Sequence, residues 1–219
     1  MKKLEVLKNI TSANDAIAAQ NTRVLDKHGI LAINLMSSPG SGKTSLILKT
    51  IEHFKGGLRL AVIEGDVASK IDADKIDKQG VPVVQINTGG SCSLEAHMVT
   101  SALDKLPLER ADILLIENVG NLICPAEFTL GEHKKVVISS IPEGDDKPLK
   151  YPLMFTEADA LVINKIDLLP HLEFDVTKFR KAVKGLNPTI EVFEVSCKTG
   201  VGIPVWCSWI ADELRKKRI

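Results

Sequence analysis

The chain has 219 residues, 44% hydrophobic and 26% charged, the mix of a globular protein with a sizeable core rather than of a disordered or membrane-embedded one. Lysines plus arginines equal aspartates plus glutamates at 28 each, so no global field favours nucleic acid, and any phosphate site has to be local. No apolar run reaches the ~18–20 residues of a membrane span, and the polar N-terminus is no signal peptide, so no membrane association and a cytoplasmic location are expected.

Residues 10–27 place Ala16, Ile17, Ala19, Val24 and Leu25 among polar neighbours, the pattern of an amphipathic helix ended by Gly29. This divides the chain into an N-terminal helical extension, 1–28, and a main domain, 29–219. Short apolar runs then recur at 30–36, 60–65, 81–86, 111–118, 135–140, 160–164 and 190–195 and read as buried strands. Segments of helical character, at 43–54, 68–79, 93–105, 175–185 and 203–217, separate most of them. Repeated strand–helix–strand units predict an α/β fold with a doubly wound, mainly parallel sheet flanked by helices. EGDDKPLKYP at 143–152 reads as a long functional loop. Ligands of such sheets bind beyond the carboxyl ends of the strands, so the chemistry is expected in the loops there.

SSPGSGKT, residues 37–44, follows the first of these strands and opens the first helix of the sheet, as a P-loop does. Gly40, Ser41 and Gly42 offer backbone N–H groups to a β-phosphate, Lys43 a cation, Thr44 a hydroxyl for Mg²⁺, and Ser45, next in the helix, completes the nucleotide-binding set. Ser37 stands where the usual pattern begins with Gly. The run ALVINKID then places Asn164, Lys165 and Asp167 at a strand end, the guanine-reading NKxD arrangement. A carboxylate at Asp167 accepts from guanine's N1–H and exocyclic amine together, whereas adenine leaves it unpaired, so GTP is expected over ATP. Ser196, Cys197 and Lys198, after the next strand, are placed to close over the base.

Glu64 and Asp66 follow one strand and Glu117 another, where acidic groups suit a Mg²⁺ and water shell. Glu117 leads into ENVGN, a variant of the DxxG γ-phosphate sensor in which Gly120 donates its N–H. Lys43, Asp66, Asp72, Glu117 and Gly120 are the candidate catalytic residues, with Asp66 or Asp72 the carboxylate that orients water. No glutamine or arginine finger follows the sensor, so hydrolysis by the chain alone is expected to be slow.

Four cysteines, at 92, 124, 197 and 207, have no close-paired spacing and read as free thiols or, in part, metal ligands. Cys92 beside a Gly pair, His97 about one helical turn on, and Cys124 just past ENVGN would suit Ni²⁺ or Zn²⁺. Spacing alone leaves an ordinary structural role open for all three. A symmetric dimer that presents both copies of Cys92 and Cys124 at its axis would complete such a site. Cys197 and Cys207 read as structural.

With these residues in view the chain resembles the hydrogenase nickel-incorporation GTPases, the HypB accessory protein family, over nearly its whole length. The strings NLMSSPGSGKT, EGDVASKIDADKI, LEAHMV, ENVGNLICPAEFTLGEHKKVVISS, EGDDKPLKYPLMF and ALVINKIDLLP carry the likeness, in order. The resemblance implies a GTP-dependent homodimer that helps insert nickel into the large-subunit precursor of [NiFe] hydrogenase, working with a nickel chaperone. It also implies that Cys92 and Cys124 are metal ligands at the dimer interface. Ser93 stands where the family often has histidine, His97 matches a second family histidine, and Lys150 lies in a segment resembling dimer contacts. The family's N-terminal cysteine motif and histidine-rich stretch have no counterpart in MKKLEVLK, so nickel storage is not expected. Two neighbouring readings are a urease-type accessory GTPase, against which Ala126 after Cys124-Pro125 argues, and a regulatory GTPase indifferent to the cysteines. A small-metabolite P-loop kinase is a third, disfavoured by NKxD.

Overall fold

The computed structural model of the chain describes residues 2–66 and 71–219, the side chains of 2–11 excepted. In chain order the elements are α1 (Lys2–Lys27), β1 (Leu31–Ser37), α2 (Lys43–Phe54), β2 (Leu60–Asp66), α3 (Ile71–Asp77), β3 (Val83–Asn87) and α4 (Ala96–Leu103). They continue with β4 (Ile113–Glu117), α5 (Cys124–Glu127), β5 (Lys134–Ser140), α6 (Lys147–Lys150), α7 (Pro152–Thr156), β6 (Ala160–Asn164), α8 (Val176–Leu186), β7 (Glu191–Glu194) and α9 (Ile203–Lys217). Each of the apolar runs is a strand, and every pairing among them is parallel, in the order β3-β2-β4-β1-β5-β6-β7.

β1 is buried along its whole length because helices cover both faces of the sheet. Its side chains alternate as a pleated strand demands. Leu31, Ile33 and Leu35 enter a cluster with Leu46, Ile47 and Ile51 of α2 and Trp206, Ile210 and Leu214 of α9. Ala32 faces the opposite layer, with Leu25 of α1 and Val99, Ala102 and Leu103 of α4. Met36 joins Phe155 of α7 and Phe179 and Val183 of α8 on that same side. Each large side chain so buried contributes about 1.5–3 kcal/mol, which makes the sheet a stiff platform for the loops at its carboxyl edge. Trp206, fully buried, donates its indole N–H to Thr50 Oγ1 at 3.0 Å, so its one polar group is paired.

α1 packs against α4 through two buried asparagines. Asn14 donates to Thr129 O at 2.8 Å and accepts from Ala96 N at 2.9 Å. Asn21 donates to Ala96 O and Leu130 O, both at 2.9 Å. Gly131, at φ 99°, lies so close beneath α1 that a Cβ there would meet Ala18 O at 2.7 Å. No described helix is long and apolar enough to cross a membrane.

Several boundaries differ from expectation. α1 begins at Lys2 rather than at residue 10, so it takes in Leu4 and Leu7, which stand at helical spacing with Ile10 and were left out of the expected helix. Residues 93–95 stay outside α4, and the turn before them passes through Gly89 and Gly90, both at positive φ. The expected loop 143–152 holds helical turns, with Pro148 and Pro152 in the first turns of α6 and α7, where a missing N–H costs nothing. Of the expected helix 68–79, α3 covers 71–77, and 68–70 lie outside the described residues.

Candidate nucleotide and metal site

The P-loop joins β1 to α2. Gly42 caps α2 at φ 99°, and a Cβ there would clash with Asn164 Nδ2, so both the left-handed backbone and the close approach require glycine. Ser41 Oγ donates to Ser38 O at 2.7 Å, closing the loop on itself. Lys43 is 9% exposed, and burial pulls its ammonium below the usual lysine range while Glu117, Glu143, Asp72 and Asp66 oppose that shift. Its Nζ donates to the buried Ser37 hydroxyl at 3.0 Å, so the serine in place of the usual glycine serves as a seat for the lysine.

The loops expected to read the base are built onto this turn. Asn164, 1% exposed at the end of β6, donates from Nδ2 to Ser41 O at 2.9 Å. Lys165, the one non-glycine described residue at positive φ, reaches Gly40 O with Nζ at 2.7 Å. Ser196 Oγ donates to Asp167 Oδ1 at 2.6 Å and accepts from Thr199 N at 3.1 Å, which fixes the carboxylate. Gly42, Ser45, Asn164, Lys165, Asp167 and Lys198 thus line one recess, continuous with the phosphate pocket. Cys197 also lines it, but burial pushes its thiol up to about 11, and that of Cys207 to about 12, as suits structural thiols.

At the other side of the phosphate pocket stand the acids. β2 and β4 pair so that Glu64 lies opposite Glu117, 2% and 5% exposed. Thr44 Oγ1 donates to Glu117 Oε1 at 2.9 Å, while Oε2 of Glu117 and Oε2 of Glu64 have no hydrogen-bond partner. Burial, reinforced by the neighbouring carboxylate, pushes Glu64 up to about 8. Burial raises Glu117 to about 7 against the pull of Lys43 and Thr44. Two orphaned carboxylate oxygens beside a P-loop threonine fit a hard divalent cation that keeps waters and phosphate oxygens as its other ligands. Asp66 and Asp72 line the same pocket, Asp72 paired with Lys75 at 2.7 Å. Gly120 packs on the P-loop, where a Cβ would meet Pro39 Cγ at 2.9 Å.

Among the metal candidates, Cys92 and Cys124 are brought together and joined as a disulfide, with Cα atoms 6.1 Å apart. This corrects the reading of them as free thiols; a pairing across 32 residues leaves no mark in the spacing. Asn121 Oδ1 shapes the second half of the site by accepting from Ile123 N at 2.7 Å and Cys124 N at 3.2 Å. His97 is not gathered with them: its ring faces Glu95 at 3.4 Å. Among the described residues no three His, Cys, Asp or Glu side chains form a cluster able to hold a metal ion.

Two contributors escaped the sequence reading. Glu143 accepts from Ser140 N and Oγ at 2.8 and 2.6 Å and from Ser38 Oγ, so it ties the 143–152 segment to the P-loop. The Ser140-x-x-Glu143 capping box was its signal. Asn34, fully buried between apolar neighbours Ile33 and Leu35 of β1, is the second, flagged only by its polarity.

Residues 31–194 match the family model for the CobW/HypB/UreG nucleotide-binding domain. The hydrogenase maturation factor HypB of Rhizobium leguminosarum bv. viciae is 47% identical over 99% of this chain and 72% of its own length. The probable hydrogenase maturation factor HypB of Methanocaldococcus jannaschii is also 47% identical, over 97% of this chain and 96% of its own. The crystal structure of HypB from Helicobacter pylori in complex with nickel superposes with a TM-score of 0.89 at 40% identity, covering 93% of this chain and 96% of that one.

Proposed function

The chain belongs to the CobW/HypB/UreG family, on the branch of the HypB hydrogenase maturation factors, and from that premise we propose that its nucleotide site and its cysteine pair work as one nickel-insertion device. It is a nickel-insertion GTPase, and the observation that carries the coupled reading is the meeting of Cys92 and Cys124 beside the γ-phosphate sensor.

Guanine is selected by Asp167, whose carboxylate is held by Ser196, with Lys165 along the base and Asn164 bracing the loop. The backbone N–H groups of Gly40 to Thr44 cradle the β-phosphate, and Lys43 leaves Ser37 for the β- and γ-oxygens. Thr44, Glu117 and Glu64 would hold Mg²⁺, which supplies charge neutralisation at the phosphates. Gly120 N–H meets the γ-phosphate, and Asp66 or Asp72 orients the attacking water. With no glutamine or arginine supplied after the sensor, turnover by the chain alone is slow.

Nickel is the cargo. Reduction of the disulfide leaves two thiols within reach of one ion, in a location where Cys92 is exposed and Cys124 half-buried. Two thiolates leave a four-coordinate ion incomplete, and a two-fold related copy supplies the other two. Exposed Ile123, Leu149 and Leu153, on and beside α5 to α7, give that contact an apolar surface. His97 would have to turn from Glu95 to join. Zn²⁺ competes for the same soft donors. A nickel chaperone and the hydrogenase large-subunit precursor are the proposed partners, in a cytoplasm that keeps the thiols reduced. α1, Lys2–Lys27, serves as an extension that braces the main domain, 29–219.

The test measures molecular mass and nickel stoichiometry together on reduced protein, with GDP and with a non-hydrolysable GTP analogue, for the wild type and Cys92→Ser. A GTP-dependent dimer that binds nickel, with the metal lost in Cys92→Ser, is the expected result. Guanine-nucleotide binding without specific metal uptake, unaltered by the substitution, would leave a regulatory GTPase instead.

A further inference from the structure

Asn118 follows Glu117 at the end of β4, is 1% exposed, and precedes Val119 and Gly120 of the sensor. Its Oδ1 accepts from two backbone donors at once, Val119 N at 2.9 Å and Leu94 N at 3.0 Å. Its Nδ2 donates to Asn34 Oδ1 on β1 at 3.2 Å. Asn34 Nδ2 in turn donates to Glu132 Oε1 at 3.3 Å, and Glu132 Oε2 accepts from Leu130 N at 2.6 Å. The chain of bonds therefore runs from the sensor to both cysteine-bearing segments. Leu94 stands two residues after Cys92, and Leu130 lies in the loop that follows α5, where Cys124 is the first residue.

A second contact ties Leu94 to the nucleotide pocket. The fully buried side chain of Leu94 fills the space beside Gly65, where an added Cβ would meet its carbons at 2.7–2.9 Å. Gly65 sits between Glu64 and Asp66, so the segment after Cys92 is gripped by the ends of both acid-bearing strands. Packed groups of this kind shift between discrete arrangements rather than deform smoothly.

We propose that Asn118 is the positioning residue that couples the state of the nucleotide to the cysteine pair. The inference rests on the reading of Cys92 and Cys124 as nickel ligands. When Val119 and Gly120 move toward a γ-phosphate, the acceptor shared between Val119 N and Leu94 N moves with them. The Cys92 segment must follow or leave a buried N–H unpaired. Nickel held by the cysteines then favours one nucleotide over the other, and by linkage the nucleotide alters nickel affinity by the same factor.

The experiment uses the full-length reduced chain and measures affinities for fluorescent GDP and a fluorescent non-hydrolysable GTP analogue, each with and without Ni²⁺. In the wild type, Ni²⁺ is expected to change the ratio of the two affinities by about 5–150-fold, the usual span of allosteric coupling. In Asn118→Ala that ratio collapses to within about 2-fold of its nickel-free value while each ligand still binds. A merely structural role would weaken both nucleotides and leave the ratio intact. Coupling retained in Asn118→Ala overturns the inference and leaves the nickel-insertion reading standing, whereas absence of coupling in the wild type sinks the coupled reading itself. Hydrogen exchange on the wild type needs no variant. Leu94 and Val119 amides changing protection together between GDP and the analogue support the inference, and Val119 changing while Leu94 does not overturns it.

Discussion

At Asp167 one carboxylate oxygen is held by Ser196, which fixes the group as an acceptor, and the proposed reading sets it against a guanine edge with two N–H donors. Asp167→Asn keeps the shape and replaces one acceptor by a donor, so guanine meets an N–H where it needs an oxygen. GTP affinity is expected to fall roughly a hundredfold or more, with xanthosine triphosphate gaining, as read by competition against fluorescent GDP. An unchanged preference for guanine would remove Asp167 from base reading. Positions of this kind were legible as candidates because the patterns are local: a P-loop and an NKxD turn each need fixed residue types at fixed spacing. What stayed hidden depends on chain crossings. Nothing near Cys92 announces Cys124, and nothing near Asn118 announces Leu94 or Asn34.

The strands followed from continuous apolar runs wherever burial was strong, as in β1, β4 and β6, whose side chains are buried throughout. Elements were missed where proline masked the pattern, in α6 and α7, and at the start of α1, where Leu4, Leu7 and Ile10 did stand at helical spacing. Asp112 shows how neighbouring elements are tied below the sheet. Its carboxylate accepts from Arg59 N, Nε and Nη2 at 2.9, 3.0 and 3.1 Å and from Arg218 Nη2 at 2.7 Å, joining the start of β4 to the segments before β2 and after α9. The Arg59 guanidinium, the leading cause, holds the carboxyl well below the usual range against the opposing effect of burial. A depressed acid stabilises the fold above its unfolded value of 3.8, and that contribution is lost as pH falls through the folded value. Asp112→Asn is expected to cost about 1–2 kcal/mol near neutrality, a Tm loss of roughly 2–8 °C, with the difference narrowing only as pH falls below 3.8 toward the folded value. A constant difference at all pH values would mean that charge is not what Asp112 contributes.

Across the whole molecule, the topology sets the nucleotide site and the cysteine pair at one edge. β1 lies at the centre of the sheet with β4 and β5 beside it, so the P-loop after β1 stands next to the sensor after β4. A doubly wound sheet was expected from alternating strands and helices, but its order was not, because fully buried parallel strands carry the same apolar signature whichever neighbours they have. A dimer axis is equally invisible in one chain, since its surface is defined only by the copy that covers it. The most direct test of nickel insertion is transfer of radiolabelled nickel from the reduced, loaded chain to a hydrogenase large-subunit precursor, with GTP, GDP or ATP present. The account predicts transfer that GTP promotes and ATP does not, lost in both Cys92→Ser and Asp167→Asn. Transfer at the same rate with every nucleotide, or undiminished in Cys92→Ser, would contradict it.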